Sequence, residues 1–233
     1  MCHAKVTPFL NLFSIMNHPA LTWTDAETPV ATAFDDPYFT GGLDETRHVF
    51  LNGNDLPARL RDGFHVAELG FGTGLNLLAL AQIWQGSGTL HFTSFEAFPM
   101  RPDDMARALA PFDLPLAEAL TRAWAQAKGP VRRLSLPGIA VAVHIGDARE
   151  TLADWSGNSD AWFLDGFAPA RNPELWGENL MALVARHTAP GGSVATYTAA
   201  GHVRRALERA GFIVTRQPGY GRKKHMTIGR MPA

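Results

Sequence analysis

The 233 residues contain one cysteine, Cys2, so an intramolecular disulfide and a cysteine-based zinc site are both excluded. A single thiol fits a reducing compartment. No apolar run approaches the ~20 residues that a membrane-spanning helix needs. Repeats and low-complexity linkers are also missing, which leaves no repeat architecture to consider. The nine histidines show no metal-ligand spacing. Net charge is only −1, so the chain as a whole makes no electrostatic case for nucleic acid.

What is present is enough for one sizeable globular domain: 46% apolar and 18% charged residues. The charge is unevenly spread. From Arg186 to the C-terminus there are nine Lys or Arg and one acid, Glu208, while the rest carries 12 basic and 21 acidic residues. Such a split points to one basic face, or to cations scattered around helix and strand surfaces. Residues 1–20 read as a disordered tail, with Met1 or Met16 as the start of translation; as a signal peptide the apolar patch is poor.

Residues 21–64 read as an N-terminal extension rich in turn residues ("DDPYFTGGLDE", "NGNDLP") that packs on the core. Residues 65–233 form the main domain, where strands alternate with helices. "HVAELGF", "TLHFTSFEAF" and "DAWFLDGF" read as strands, "LNLLALAQIWQ", "RPDDMARALA" and "PLAEALTRAWAQA" as helices, and "VRRLSLPGIAVAVHIGD" as two strands around Pro137-Gly138. "PELWGENLMALVARHTAPGG" reads as one helix closed by glycines, with Pro173 in its first turn and Asn172 as cap. Strand, helix, strand, strand follow, the last two as an antiparallel hairpin because "PGYGRK" is too short for a crossover. The expected fold is α/β, a mostly parallel sheet with helices on both faces. Ligands then bind beyond the carboxyl ends of the strands. Four of those ends carry an acid or a glycine turn, at Gly70, Glu96, Asp147 and Asp165, and should line one crevice.

In "ELGFGTGLN", Gly70, Gly72 and Gly74 are spaced GxGxG between strand and helix. A dinucleotide fingerprint needs a third glycine where Leu75 or Leu77 stands, which disfavours a nicotinamide oxidoreductase. GxGxG with an acid two residues earlier is the S-adenosylmethionine pattern of class I methyltransferases. Glu96 is placed to take ribose hydroxyls, Asp147 and the Ala148 N–H to meet the adenine, and Glu68 to hold the methionine amino group through water or backbone; Asn76 belongs to the same turn. A carboxylate-lined mouth suits a sulfonium better than a pyrophosphate.

Beyond the glycine turn, "DDPYFTGGLDETRHVFLNGNDLPARL", "AELGFGTGLNLLAL", "AWFLDGFAPARNPELW", "GGSVATYTAAGHVRRALERAGF" and "GYGRKKHMTIG" resemble the methyltransferase domain of the MnmC family, which also occurs alone as the MnmD type. The resemblance runs from about residue 30 to residue 230. It implies a class I, Rossmann-like fold and S-adenosylmethionine as cofactor, without metal or flavin domain. It implies methyl transfer to the 5-aminomethyl group of a wobble uridine in tRNA, giving 5-methylaminomethyl-(2-thio)uridine. It further implies contact with the anticodon region, a separate flavin-dependent oxidase supplying the amine, and a cytoplasmic location. Asp165 is expected to bind and orient the amine, either as proton acceptor or only aiming its lone pair, and Phe167 to wall or stack on the uracil. Pro169 and Pro173 would stiffen that loop. Tyr38, Phe39 and Tyr220 are candidates for the base pocket, Trp176 for a further substrate or tRNA contact, and Arg171, Arg204, Arg205, Arg222, Lys223 and Lys224 for the RNA backbone. Two other readings stay open: a class I methyltransferase for a small-molecule or protein amine, and a non-catalytic RNA-binding relative.

Overall fold

In the computed structural model, which describes residues 18–233, the apolar runs become the middle of an eight-stranded sheet. Cys2, Met16 and the tail up to residue 17 lie outside the described residues. The sheet consists of β4 (His65–Leu69), β5 (Leu90–Glu96), β6 (Val131–Leu136), β7 (Ile139–Ile145), β8 (Ser159–Leu164), β9 (Thr188–Thr196), β10 (Ile213–Pro218) and β11 (His225–Arg230). Three short strands precede it: β1 (Leu21–Trp23), β2 (Pro29–Ala31) and β3 (Asp36–Pro37). The order across the large sheet is β10-β11-β9-β8-β4-β5-β7-β6. β4 pairs in parallel with β5 and β8, and the parallel set continues to β7 and β9. β6 and β11 run antiparallel, β11 as the inner arm of the expected hairpin. β4 and β8 are buried along almost their whole length, as apolar strands covered on both faces must be.

Helices cover both faces. On one lie α2 (Leu75–Ile83), α3 (Pro102–Leu109) and α4 (Ala117–Gln126), packed with Val66, Phe92 and Phe163. On the other lie α6 (Glu178–Arg186) and α7 (Gly201–Arg209), with the single turn α5 (Ala148–Thr151), packed with Ala67, Trp162 and Leu164. The strand order reverses between β4 and β8, so the crevice opens above that junction.

The N-terminal extension is more ordered than its turn-rich sequence implies. α1 (Gly42–Thr46) runs on through a π turn, Arg47–Leu51, and a 3₁₀ turn, Asn52–Asn54. Glycines and asparagines give this stretch poor helix propensity, and tertiary packing overrides it. Val49, Phe50 and Leu51 are buried, with the Phe50 ring 5.5 Å from Phe163. Asn54 is fully buried, donating to Trp162 O at 3.1 Å and accepting from Ser193 Oγ at 2.6 Å.

The expected long helix from Pro173 is broken. Pro173–Trp176 is a 3₁₀ turn, Gly177 is extended, and α6 starts at Glu178. Asn172 precedes the turn without a side-chain cap bond. Gly191 and Gly192 do not close α6 but lie inside β9, where the register to β8 slips. A bulge absorbs the Pro-Gly-Gly run that a regular strand could not.

Candidate active site

The site begins where β4 gives way to glycine. Gly70 has φ +79°, and a side chain there would come within 3.3 Å of Gly166 Cα, so the glycine turn passes directly against the end of β8. Gly72, at φ +52°, donates its N–H to Glu96 Oε2 at 2.8 Å and faces Tyr38. Gly74 lies away from the crevice, where a Cβ would strike Leu120; its role is to let α2 start close to α4.

Gly70, Glu96, Asp147 and Asp165 all line one cavity of about 340 Å³. Glu96 accepts from the Gly72 and Phe98 N–H groups, at 2.8 and 2.7 Å, and lines the cavity. Burial raises its pKa and backbone N–H groups oppose the rise. Asp147 caps α5 by accepting from the Arg149 N–H at 2.8 Å, and is also bonded by the Arg149 guanidinium. Burial pushes its pKa up, but the Arg149 contacts outweigh that and hold it below the usual value. Ala148 lines the cavity beside it.

Glu68 does not reach the cavity. It is fully buried beneath it, accepting from Asn76 Nδ2 at 2.9 Å and Ser94 Oγ at 2.7 Å. It therefore does not meet the methionine amino group directly, because no atom is exposed; it braces Asn76. Burial drives its pKa well above normal. Asn76 does line the cavity and donates to Asp165 Oδ2 at 2.8 Å. Asp165 Oδ1 accepts from Gly166 N–H at 2.8 Å. Burial raises the Asp165 pKa to about 6 against the pull of these two donors.

The loop after Asp165 is pinned at three successive residues. Tyr197 Oη donates to Gly166 O at 2.7 Å, Trp176 Nε1 to Phe167 O at 2.8 Å, and Ala168 N–H to Asp36 Oδ2 at 2.7 Å. Trp176 is thus a buried brace, 1% exposed, and not the substrate-contacting residue expected. Phe167 stacks on Phe34 at 4.4 Å and meets Tyr38 edge-on at 5.2 Å. These three rings and Phe39 form one wall of the cavity. Phe34 and Asp36 are functional candidates that sequence reasoning missed; the "FDDPYF" context of Tyr38 was their only signal.

The basic candidates separate by environment. Arg222, Lys224 and Arg205 are exposed, and Arg204 is partly buried. Arg171 is tied to Asp35 at 3.0 Å. Lys223 turns inward, 2.8 Å from Glu45 and 4.1 Å from the Tyr197 ring centre. Tyr220 packs near His48 outside the cavity, so the base-pocket role expected of it has no support from its position. Among the described residues, no group of three or more His, Cys, Asp or Glu is gathered as for a metal, and no helix is long and apolar enough to cross a membrane.

Comparison with known proteins decides the family. The model of a family described as S-adenosyl-L-methionine-dependent methyltransferase matches residues 114–232, just over half of the chain. The chain belongs to that family. A curated relative from Caulobacter sp. (strain K31), the tRNA 5-methylaminomethyl-2-thiouridine biosynthesis bifunctional protein MnmC, is 47% identical over 88% of this chain and 37% of its own length. The protein of the same name from Hahella chejuensis is 40% identical over 92% of this chain and 37% of its own length. The chain therefore spans little more than a third of the curated relatives it matches. The crystal structure of MnmC2 from Aquifex aeolicus shares the fold, with a TM-score of 0.73 at 23% identity, over 93% of this chain and 71% of that one. These matches bear out the MnmC-type resemblance, the class I fold and the cofactor.

The cavity fits that cofactor on its own chemistry. It offers carboxyl groups at three strand ends, Glu96, Asp147 and Asp165, aromatic walls, and a turn that presents Gly70 and Gly72 to the space. Glu96 would hold the ribose, Asp147 and Ala148 would flank the adenine, and Asn76 and Asp165 would face the methionine end, leaving the Phe167 wall to the acceptor.

Proposed function

We propose that the protein transfers a methyl group from S-adenosylmethionine to the 5-aminomethyl amine of the tRNA wobble uridine, forming 5-methylaminomethyl-(2-thio)uridine. One observation carries the reading: Asp165 lies in the same cavity as Glu96 and the glycine turn, beside the aromatic wall of Phe34, Tyr38 and Phe167. The acids and glycine turn that suit the cofactor and an aromatic wall that suits a base thus meet beside one carboxylate.

An alkylamine has a pKa near ~10.4 and is mostly protonated at neutral pH. Asp165 binds the ammonium and takes one N–H proton, and the freed lone pair forms the N–CH₃ bond as the S–CH₃ bond breaks. The cofactor supplies the methyl group on a cationic sulfur. Burial within the recess weakens hydration of the ammonium and so lowers the amine pKa toward that of Asp165. The Phe167 wall orients the base through the unstacked surface of the ring cluster.

Supporting an RNA acceptor, β9 and β10 run parallel and end at the same edge as Asp165. The start of α7 and the 219–224 turn, carrying Arg204, Arg205, Arg222 and Lys224, follow those ends. These cations are the proposed seat of the anticodon stem. A flavin-dependent oxidase is the proposed source of the amine, and the cytoplasm the proposed place of work.

The test is incubation with S-adenosylmethionine and tRNA bearing 5-aminomethyluridine, followed by nucleoside mass analysis. A methyl gain at the wobble base supports the reading. Cofactor binding without methyl gain rejects it and leaves another amine as the acceptor.

A further inference from the structure

Lys223 is the one member of the Arg222-Lys223-Lys224 run whose side chain turns away from the proposed RNA surface. Its Nζ donates to Glu45 Oε1 at 2.8 Å and sits 4.1 Å above the Tyr197 ring. Glu45 is held in turn, its Oε2 accepting from the Gly41 N–H at 2.9 Å and Thr40 Oγ1 at 3.1 Å. The Glu45 side chain is 12% exposed and that of Lys223 38%, so the pair is sheltered on its carboxylate side while the lysine stem stays partly in solvent. Tyr197 completes the line, donating its hydroxyl to Gly166 O at 2.7 Å, one residue from the Asp165 carboxyl. Gly166 has φ +124°, a conformation that needs holding in place.

We propose that Lys223 is a positioning residue for Asp165 rather than a ligand for RNA phosphate: anchored on Glu45, it presses its ammonium on the Tyr197 ring and so fixes the hydroxyl that sets the Asp165-Gly166 turn. The run then divides its work. Arg222 and Lys224 face outward to the acceptor, and Lys223 links the turn that carries them to the reacting carboxylate. Electrostatics support the assignment, because the Lys223 charge favours ionised Asp165 while Glu45 opposes it. Removing the lysine leaves Glu45 unneutralised, so both changes act against the Asp165 anion.

The inference rests on the proposed reaction only for its kinetic arm. Lys223→Met is expected to lower kcat on the order of tenfold or more, because a small displacement of a reacting group costs that much. The tRNA KM and the salt dependence of binding stay at wild-type values, and the acid limb of the pH profile moves up. Lys223→Arg, which keeps both the ion pair and the ring contact, restores the rate. Lys224→Ala shows the opposite split, a raised KM and a shallower salt slope. If Lys223→Met instead raises KM with kcat intact, Lys223 is a phosphate ligand and the proposal falls. A second readout needs neither RNA nor turnover: the Asp165 carboxyl followed by ¹³C NMR titration. Its midpoint should rise in Lys223→Met and hold in Lys223→Arg; an unmoved midpoint overturns the proposal whatever the acceptor. Wild-type protein that methylates no aminomethyl tRNA overturns only the substrate reading.

Discussion

Asn76 Nδ2 lies 2.8 Å from Asp165 Oδ2, and the same nitrogen lies 2.9 Å from Glu68 Oε1. Its Oδ1 accepts from Thr46 Oγ1 at 2.9 Å, which fixes the amide with its NH₂ toward the two acids. One side chain thereby spends both of its N–H bonds holding a buried carboxyl and the proposed catalytic carboxyl in register. Gly70 and Gly72 open this site, but Asn76 at the start of α2 aims it.

Asn76→Ala should therefore act in two ways. It leaves two acids short of a donor, and a lost partner for a buried polar group costs roughly 1–3 kcal/mol. The expected result is a lower unfolding midpoint and at least a tenfold lower kcat, with S-adenosylmethionine affinity changed less than kcat. Calorimetry and single-turnover kinetics measure the two separately. A variant with wild-type kcat would remove Asn76 from the aiming role.

Asp165 makes opposite demands on stability and activity. Its folded pKa, about 6, lies above the ordinary 3.8. The folded state therefore holds the proton more tightly, and the associated stability is full below 3.8 and lost as pH rises through 6. The loss is roughly 3 kcal/mol at most above that window. Asp165→Asn should escape it, so the variant gains on wild type in melting temperature between pH 4 and pH 7. Its kcat should fall on the order of a hundredfold or more. Wild-type kcat should drop about tenfold per pH unit below the midpoint near 6. A flat profile from pH 5 to 8 would show that Asp165 only aims the lone pair.

Gly166→Ala tests the pinned loop. The position has φ +124°, and an added Cβ would run into the Leu175 side chain. Both backbone strain and the clash oppose any L-residue, so a cost above ~2 kcal/mol is expected. Activity should be lost even at temperatures where the variant stays folded. Circular dichroism and methyl transfer on the same sample check this, and an active folded variant would show that the turn is less constrained than its geometry implies.

How far the chain could be read in advance follows from how local each signal is. The four strand ends at Gly70, Glu96, Asp147 and Asp165 were legible because apolar runs that stop on an acid or glycine carry their own punctuation. They do converge on one cavity. The helical stretch 42–54 was not legible, because its poor propensity is outweighed by Phe50 and Asn54 docking on β8 and β9, partners over a hundred residues away. Glu68 was assigned to the ligand from its place two residues before the glycine turn and Trp176 from its place in the loop after Asp165, and only burial shows that they brace other residues. Lys223 was grouped with its neighbours because sequence records charge without direction; its partner, Glu45, is 178 residues away.

The outward cations should report themselves through salt. Each phosphate neutralised on a stem contributes about −0.9 to the slope of log K against log[salt]. Arg222→Ala and Lys224→Ala should each flatten that slope by about one unit and weaken tRNA binding, with kcat at saturation little changed. Arg171→Ala should do less, because its guanidinium is already paired with Asp35 at 3.0 Å and stays so in the complex. Filter binding from 50 to 200 mM salt would separate these cases. Equal effects at Arg171 and Lys224 would mean that the Asp35 pair opens in the complex. No effect at Arg222 and Lys224 would move the RNA to another face and leave the 219–224 turn solely to Lys223 and its hold on Tyr197.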